Sequence, residues 1–362
     1  MKKILYDNQM FTFQRFGGVT RYFADLMYNL PGGEFSSEVP MRYCENHYIT
    51  ETYGRKYEKI GFPRNYRLRR LIYSFVNRQI AYKAIKFNDY DIFHPTYFSP
   101  YFLNILKKRN KPFVLTVHDM TFERYPQDVL IYDRTIPHKK QLIAEADHII
   151  AVSENTKRDI VDLLGTDPSK ISVVHHGYRQ ITGNTEQLFD HYVLYVGERK
   201  GYKNFFPWLS AIRSIFNLDP KLKIVCTGNP FTRYELELFN KWNIRERLIH
   251  ISANDIQMRS LYRHALCFVF PSHYEGFGIP ILEAFANGCP VCLSGASCFP
   301  EVAGDAAMFF NPNDAQSMHD VLKEVLASSA LRDELRMKGT ERSKEFSIER
   351  MVGETCDVYR KL

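Results

Sequence analysis

Two carboxylates bracket a glycine-rich turn in Glu275-Gly-Phe-Gly-Ile-Pro-Ile-Leu-Glu283. The apolar run Cys267-Phe-Val-Phe-Pro-Ser leads into it, and a helical segment is predicted to begin near Ile281. Gly276 and Gly278 let the backbone approach a ligand closely, and the free N–H groups of a helix N-terminus attract anions. Glu283, expected in the first helical turn, offers acceptor oxygens to a diol such as a ribose. Phosphate donors beside a hydroxyl-reading carboxylate point to a sugar nucleotide. A second loop holds Arg199 and Lys203. A leaving nucleoside diphosphate carries at least two negative charges, and a guanidinium fork with an ammonium stabilises the charge that builds on its oxygens. By itself the loop also reads as a solvated basic turn, since Lys200 lies between them.

These groups need elements to hold them. Short β-rich runs recur with helical segments between: Ile4-Leu-Tyr, Asp91-Ile-Phe-His, Phe113 to His118, His148 to Ser153 and Ile171 to His175. After a polar stretch from Gly177 to Gln187 the series restarts with Tyr192 to Val196, Lys223 to Thr227, Leu248 to Ile251, Cys267 to Phe270, Pro290 to Leu293 and Met308 to Phe310. Near-continuous apolar strands alternating with helices mean parallel sheets covered on both faces, here as two doubly wound, Rossmann-like α/β domains. Their ligand crevices should lie beyond the carboxyl ends of the strands and face one cleft. Each half opens as strand, glycine-and-base loop, helix: Lys3-Ile-Leu-Tyr through Arg15-Phe-Gly17-Gly18-Val, and Val193-Leu-Tyr-Val through Gly197-Glu-Arg-Lys-Gly-Tyr-Lys-Asn. Neither loop is a GxGxxG or a Walker sequence, so a dinucleotide dehydrogenase or P-loop NTPase lacks its fingerprint. The expected division is 1–182, 183–345 and a closing helix, 346–362, that crosses back to pack on the first domain. There Ser347 is the expected N-cap, and Ile348, Met351, Val352, Thr355 and Tyr359 form a docking stripe.

A chain of 362 residues exceeds one core, and 45% hydrophobic with 25% charged residues is ordinary for a globular enzyme. A net charge of +7 leaves sugar nucleotide, membrane surface and nucleic acid all open as anionic partners. Seven cysteines without paired CxxC motifs read as reduced thiols in a cytoplasmic protein. The one such spacing, Cys289 and Cys292, reads as buried strand. The start, MKKILYD, is too short for a signal h-region, and no stretch approaches a spanning helix. No Asp-x-Asp and no Asp/His cluster at ligand spacing occurs, so no metal and no cofactor beyond the substrate nucleotide sugar is expected.

The ordered set of motifs resembles the retaining family 4 glycosyltransferases with the GT-B fold, most nearly bacterial mannosyltransferases of glycan assembly. Glu275 and Glu283 match that family's E-x7-E signature, and Tyr195 to Asn204 its diphosphate-binding loop. Phe16-Gly-Gly-Val-Thr-Arg-Tyr, Thr116-Val-His-Asp, Ala151-Val-Ser-Glu-Asn-Thr and Phe346-Ser-Ile-Glu-Arg-Met are similar too, so the likeness runs the length of the chain. It implies that Glu283 binds the ribose and that Arg199 and Lys203 bind the diphosphate. Glu275 with the amides of Gly276, Phe277, Gly278 and Ile279 would hold the transferred sugar. Gly17 and Gly18 would approach the diphosphate from the first domain, and His118 would face the anomeric centre or a donor hydroxyl. The resemblance further implies a metal-independent hexosyl transfer with no protein nucleophile, to a saccharide or lipid-linked saccharide in lipopolysaccharide or other cell-surface polysaccharide assembly. GDP-mannose is the expected donor, with UDP-glucose, UDP-galactose or UDP-N-acetylglucosamine as alternatives. The donor base is expected near Gly228 to Arg233 and Ser252 to Asp255.

Other residues carry weaker signals. His118 ends a strong apolar strand, where a crevice of an open α/β sheet belongs. His94 is a weaker acceptor-side candidate. Of the adjacent His175 and His176, at most one can face a ligand. Asp119, Glu123 and Glu154 read as acid–base groups or as caps. The segment 55–86 carries ten Lys/Arg, at 55, 56, 59, 64, 67, 69, 70, 78, 83 and 86, against Glu58 alone. Tyr66, Leu71, Ile72, Phe75, Val76 and Ile80 are interleaved with them. It reads as a peripheral contact with anionic lipid at the inner membrane face or as a solvated helix face, with nucleic acid the least favoured partner. Against the transferase stand a sugar-nucleotide epimerase or hydrolase on the same architecture, and a basic binding protein with a relic pocket.

Overall fold

The computed structural model describes residues 1–59, 61, 65–128, 134–179, 183 and 185–362, with the side chains of Tyr66 and Asp128 outside that description. The chain divides into two units, Met1–Gly177 with Ile348–Leu362, and Tyr178–Ser347. The expected junction at 182/183 involves Thr182, which lies outside the described residues.

In the first unit the strands are β1 (Lys2–Tyr6), β2 (Phe35–Glu38), β3 (Ile92–His94), β4 (Val114–Val117), β5 (His148–Ala151) and β6 (Ile171–Val173). They form parallel sheets β2-β1-β3 and β4-β5-β6, joined through the bridge Phe93–Phe113. The direction of winding reverses between β1 and β3. Five of these strands follow the apolar runs expected for them. The sixth, β2, was not expected: Phe-Ser-Ser-Glu buries only Phe35 and sits at the sheet edge, so it carries no apolar run to read.

In the second unit β7 (Tyr192–Tyr195), β8 (Lys223–Cys226), β9 (Leu248–His250), β10 (Cys267–Phe270), β11 (Val291–Ser294) and β12 (Met308–Phe310) form one parallel sheet. Its order is β12-β11-β10-β7-β8-β9, and the winding reverses between β7 and β10. Every residue of β7, β10 and β11 is buried, as sheets covered on both faces require.

The closing helix Ile348–Lys361 belongs to the first unit, and all five residues of the expected stripe are buried. The Tyr359 hydroxyl lies 2.8 Å from that of Tyr6 and 2.7 Å from Nδ1 of His94, and the Lys2 ammonium donates to its carbonyl at 3.0 Å. His94 is therefore a core residue. Nε2 meets Thr116 Oγ1 at 2.9 Å, and burial pulls the imidazole down to about 3. It has no exposed surface with which to act as the acceptor-side candidate read from the sequence.

Candidate active site

In an open α/β sheet a ligand binds beyond the carboxyl ends of the strands where the winding reverses. In the second unit that point lies between β7 and β10, whose following loops carry Arg199 with Lys203 and Glu275 to Gly278. The register Tyr195–Val269 sets the two loops side by side. Lys203 ends a single turn, Gly201–Lys203, and Asn204 then takes a left-handed conformation and ties the loop to the Pro312 carbonyl at 2.9 Å. The Lys203 ammonium donates to Glu275 Oε1 at 2.7 Å, an oxygen that also accepts from the Ser272 hydroxyl at 2.8 Å. Burial disfavours the Lys203 charge, but Glu275 and Tyr202 outweigh it and raise the pKa above that of an ordinary lysine.

The glycine turn is fixed from beneath. Glu275 N–H donates to Ser297 Oγ at 3.2 Å, and that hydroxyl donates to the Glu275 carbonyl at 2.6 Å. The Cys298 thiol donates to the carbonyls of Glu275 and Phe277, each at 3.2 Å. Gly278 has a φ of +94°, and a Cβ there would stand 2.9 Å from Ile281 Cδ1 and 3.2 Å from Phe299 Cε1, so only glycine fits. The following helix is Ile279–Ala286, with Pro280 in its first turn. It starts before the expected Ile281, which places Glu283 in the second turn, not the first. The Tyr262 hydroxyl donates to Glu283 Oε2 at 3.0 Å and orients that carboxylate.

Arg199 departs from the simple picture of a cation poised for a ligand. It is 4% exposed, and Nε donates to Glu235 Oε1 at 2.7 Å. Nη2 donates to Glu235 Oε2 at 3.2 Å and to the carbonyls of Asn229 and Pro230 at 2.9 and 3.1 Å. Nη1 is buried with no hydrogen-bond partner among the described residues. Arg199 thus fixes the loop expected near the donor base and leaves one nitrogen unengaged. Burial would raise the Glu235 carboxyl, but bonds from Arg199 and Thr232 hold it below the ordinary range. The structure pairs Lys203 with Glu275, and Arg199 with Glu235.

In the first unit Gly17 is the N-cap and Gly18 the first residue of the helix Gly18–Tyr28, whose opening amides lack helical partners. One turn on, Tyr22 meets His118 and His176 edge-on, with ring centres 5.1 and 5.0 Å away. Those two imidazoles stack 5.5 Å apart. Both His118 ring nitrogens are buried without partners among the described residues, and burial lowers the pKa to about 4. A neutral imidazole with two unused hydrogen-bonding atoms can bind a hydroxyl. From the sequence His176 is weighed beside His175 as a residue that could face a ligand, and Tyr22 closes the Phe16 to Tyr22 motif, but neither is given a role there. Asp119 accepts from the Thr121 amide at 2.9 Å, Glu123 pairs with buried Lys139 at 2.9 Å, and Glu154 opens a helix capped by Ser153, so each has a structural task.

At the winding reversal of the first unit lies a cavity of about 100 Å³, lined among others by Gln9, Phe13, Ser74, Arg78 and Tyr101. Fully buried Asp7 organises its floor, accepting from the Thr96 hydroxyl at 2.7 Å and the Tyr101 hydroxyl at 3.3 Å. Among the described residues no three or more His, Cys, Asp or Glu side chains are gathered as a metal site would require.

Comparison with known proteins supports both halves. A model of glycosyltransferase family 4 matches residues 16–179, and a model of glycosyl transferases group 1 matches 181–342. O-antigen chain mannosyltransferase B of Escherichia coli is 25% identical over 310 residues, 79% of this chain and 78% of that protein. O-antigen chain mannosyltransferase RfbU of Salmonella typhimurium is 27% identical over 216 residues, 58% of this chain and 60% of its own length. Sucrose-phosphate synthase from Thermosynechococcus elongatus superposes with a TM-score of 0.75 at 18% identity, covering 100% of this chain and 99% of that one. The fold is GT-B.

Proposed function

The chain belongs to the glycosyltransferases that join a family 4 domain to a group 1 domain, and on that premise we propose that it transfers mannose from GDP-mannose to a saccharide, free or lipid-linked. The setting is the assembly of a cell-surface polysaccharide such as lipopolysaccharide, on the cytoplasmic side. The two O-antigen mannosyltransferases support the sugar and the setting. The observation that carries the reading is the Lys203–Glu275 pair at 2.7 Å beside the N-terminus of the helix bearing Glu283. Lys203 and Arg199 Nη1 take the diphosphate, Glu283 the ribose, and Glu275 with the amides of 276–279 the sugar hydroxyls. In the first unit Gly17, Gly18 and neutral His118 are the residues that the family's pattern would assign to the donor.

The reaction proceeds with retention. The bond between C1 and the phosphate oxygen breaks with its electron pair leaving on the diphosphate. The acceptor oxygen bonds C1 on the same face, and its proton passes to that phosphate oxygen. Lys203 and Arg199 stabilise the departing charge, so no metal is needed. The test is transfer in EDTA from GDP-mannose and from UDP-sugars, with the product anomer read by NMR. An α-mannoside made from GDP-mannose is expected. A β-product, a preference for a UDP-sugar, or hydrolysis without transfer would overturn the reading.

A further inference from the structure

The helix Tyr66–Phe87 is apolar on two opposite sides. Tyr73, Asn77, Ala81, Ala84 and Ile85 face the core. On the other side Leu68, Leu71, Ile72, Phe75 and Tyr82 recur at helical spacing and are exposed, Leu71 at 64% and Phe75 at 70%. Exposed apolar residues gathered on one helix face mark a contact with something apolar. The helix carries six basic residues and no acid. The structure separates those bases by role. Arg69 is spent on Glu45, with bonds of 3.0 and 3.2 Å. Arg67, Arg78 and Lys83 flank the stripe, Lys86 continues its line one turn past Tyr82, and all four are exposed. Arg64 and the Tyr66 side chain, part of the basic segment read from the sequence, lie outside the described residues.

We propose that this face is a docking surface for an anionic lipid bilayer, with the apolar stripe entering the headgroup boundary and the flanking bases meeting lipid phosphates. The charge pattern selects the occupant. A soluble apolar partner needs no ring of bases, and a second copy of this helix would set like charges against each other. Apolar insertion supplies most of the attraction and the bases supply selectivity for anionic lipid. Ser74 and Arg78 lie between the two faces and line the cavity of the first unit. Docking therefore holds that cavity beside the headgroups, where a lipid-linked saccharide presents its sugars. Docking itself does not depend on the proposed transfer reaction; only this consequence for the acceptor does.

The test is flotation of the full chain with vesicles of phosphatidylethanolamine and phosphatidylglycerol, against phosphatidylcholine alone. Wild type should bind the anionic vesicles, more weakly as salt rises. Leu71→Glu with Phe75→Glu should lose more than about 10-fold in binding. Lys83→Glu with Lys86→Glu should lose at least about 10-fold on anionic vesicles and little on neutral ones. Both pairs should keep the wild-type melting temperature and transfer to a water-soluble acceptor, which separates this claim from the catalytic one. Wild type that ignores anionic vesicles, or double variants that bind as well as wild type, would overturn the proposal. So would wild type that is a dimer in solution and becomes monomeric with Phe75→Glu, which would assign the face to a second copy.

Discussion

Two cations of one loop have different tasks, and their variants should differ accordingly. Arg199 is buried against Glu235, so Arg199→Ala strands a carboxylate and should cost about 3–5 kcal/mol of stability. Lys203→Ala removes an ammonium from a partly exposed pair, and its main effect should be a loss of about 10²–10³ in kcat. Melting curves read beside kcat/KM check this contrast; equal losses of stability would refute it. The buried histidines predict a pH response. His94 and His118 have folded pKa values of about 3 and 4, below the ordinary value of 6.5, and His176 is also held well below it. The unfolded chain therefore binds more protons once pH falls below about 6.5. Stability is full above that pH and falls toward pH 4 by about 1.4 kcal/mol per pH unit for each histidine. Denaturant unfolding across this window should show the fall, and His94→Gln should flatten it; a pH-independent midpoint would contradict the assignment.

At the scale of elements, the glycine turn between β10 and the helix Ile279–Ala286 is the most constrained piece of the site. Gly278→Ala meets both a positive φ and two side chains, and should cost about 1–3 kcal/mol with a loss of donor binding. A variant with unchanged melting temperature would show that the turn tolerates a Cβ. Most of this architecture was legible in the sequence, because buried parallel strands such as Cys267–Phe270 are apolar throughout. What escaped did so for physical reasons. The strand β2 is half polar and lies at an edge. The helix start at Ile279 was signalled by Pro280, a residue suited to a first turn, but the glycines before it read as loop. The partner of Arg199 was half visible, since Thr232-x-x-Glu235 is a capping-box signature and the structure confirms the box. That Glu235 also takes a guanidinium from another loop depends on a contact 36 residues away in sequence. The tie from Tyr262 to Glu283 likewise has no local mark.

On the scale of the whole molecule, the chain returns its last helix to the first unit, and the return is held by a polar lock inside an apolar core. Tyr359→Phe deletes the hydroxyl shared by Tyr6 and His94, leaving both buried groups short of a partner, and should cost about 1–3 kcal/mol. Urea unfolding of the intact chain should show the loss, and an unchanged midpoint would mean that apolar burial of Ile348, Met351 and Val352 alone holds the helix. The second unit places its candidate residues at the point where its sheet reverses direction, whereas the first has its cavity there and its imidazole pair beyond β4 and β6. One carries the Lys203–Glu275 pair beside a glycine turn, the proposed seat of a diphosphate; the other offers a neutral imidazole pair and a cavity beside an apolar, basic helix.

Under the proposed function the second unit binds a nucleoside diphosphate sugar through Lys203 and Glu283. Titration calorimetry of GDP-mannose in EDTA, on wild type, Lys203→Ala and Glu283→Ala, tests it most directly. Wild type is expected to show a single saturable site and each variant a loss of at least about 10-fold in affinity, with melting temperatures largely preserved. Wild type that binds no nucleotide sugar, or variants that bind GDP-mannose as tightly as wild type, would contradict it.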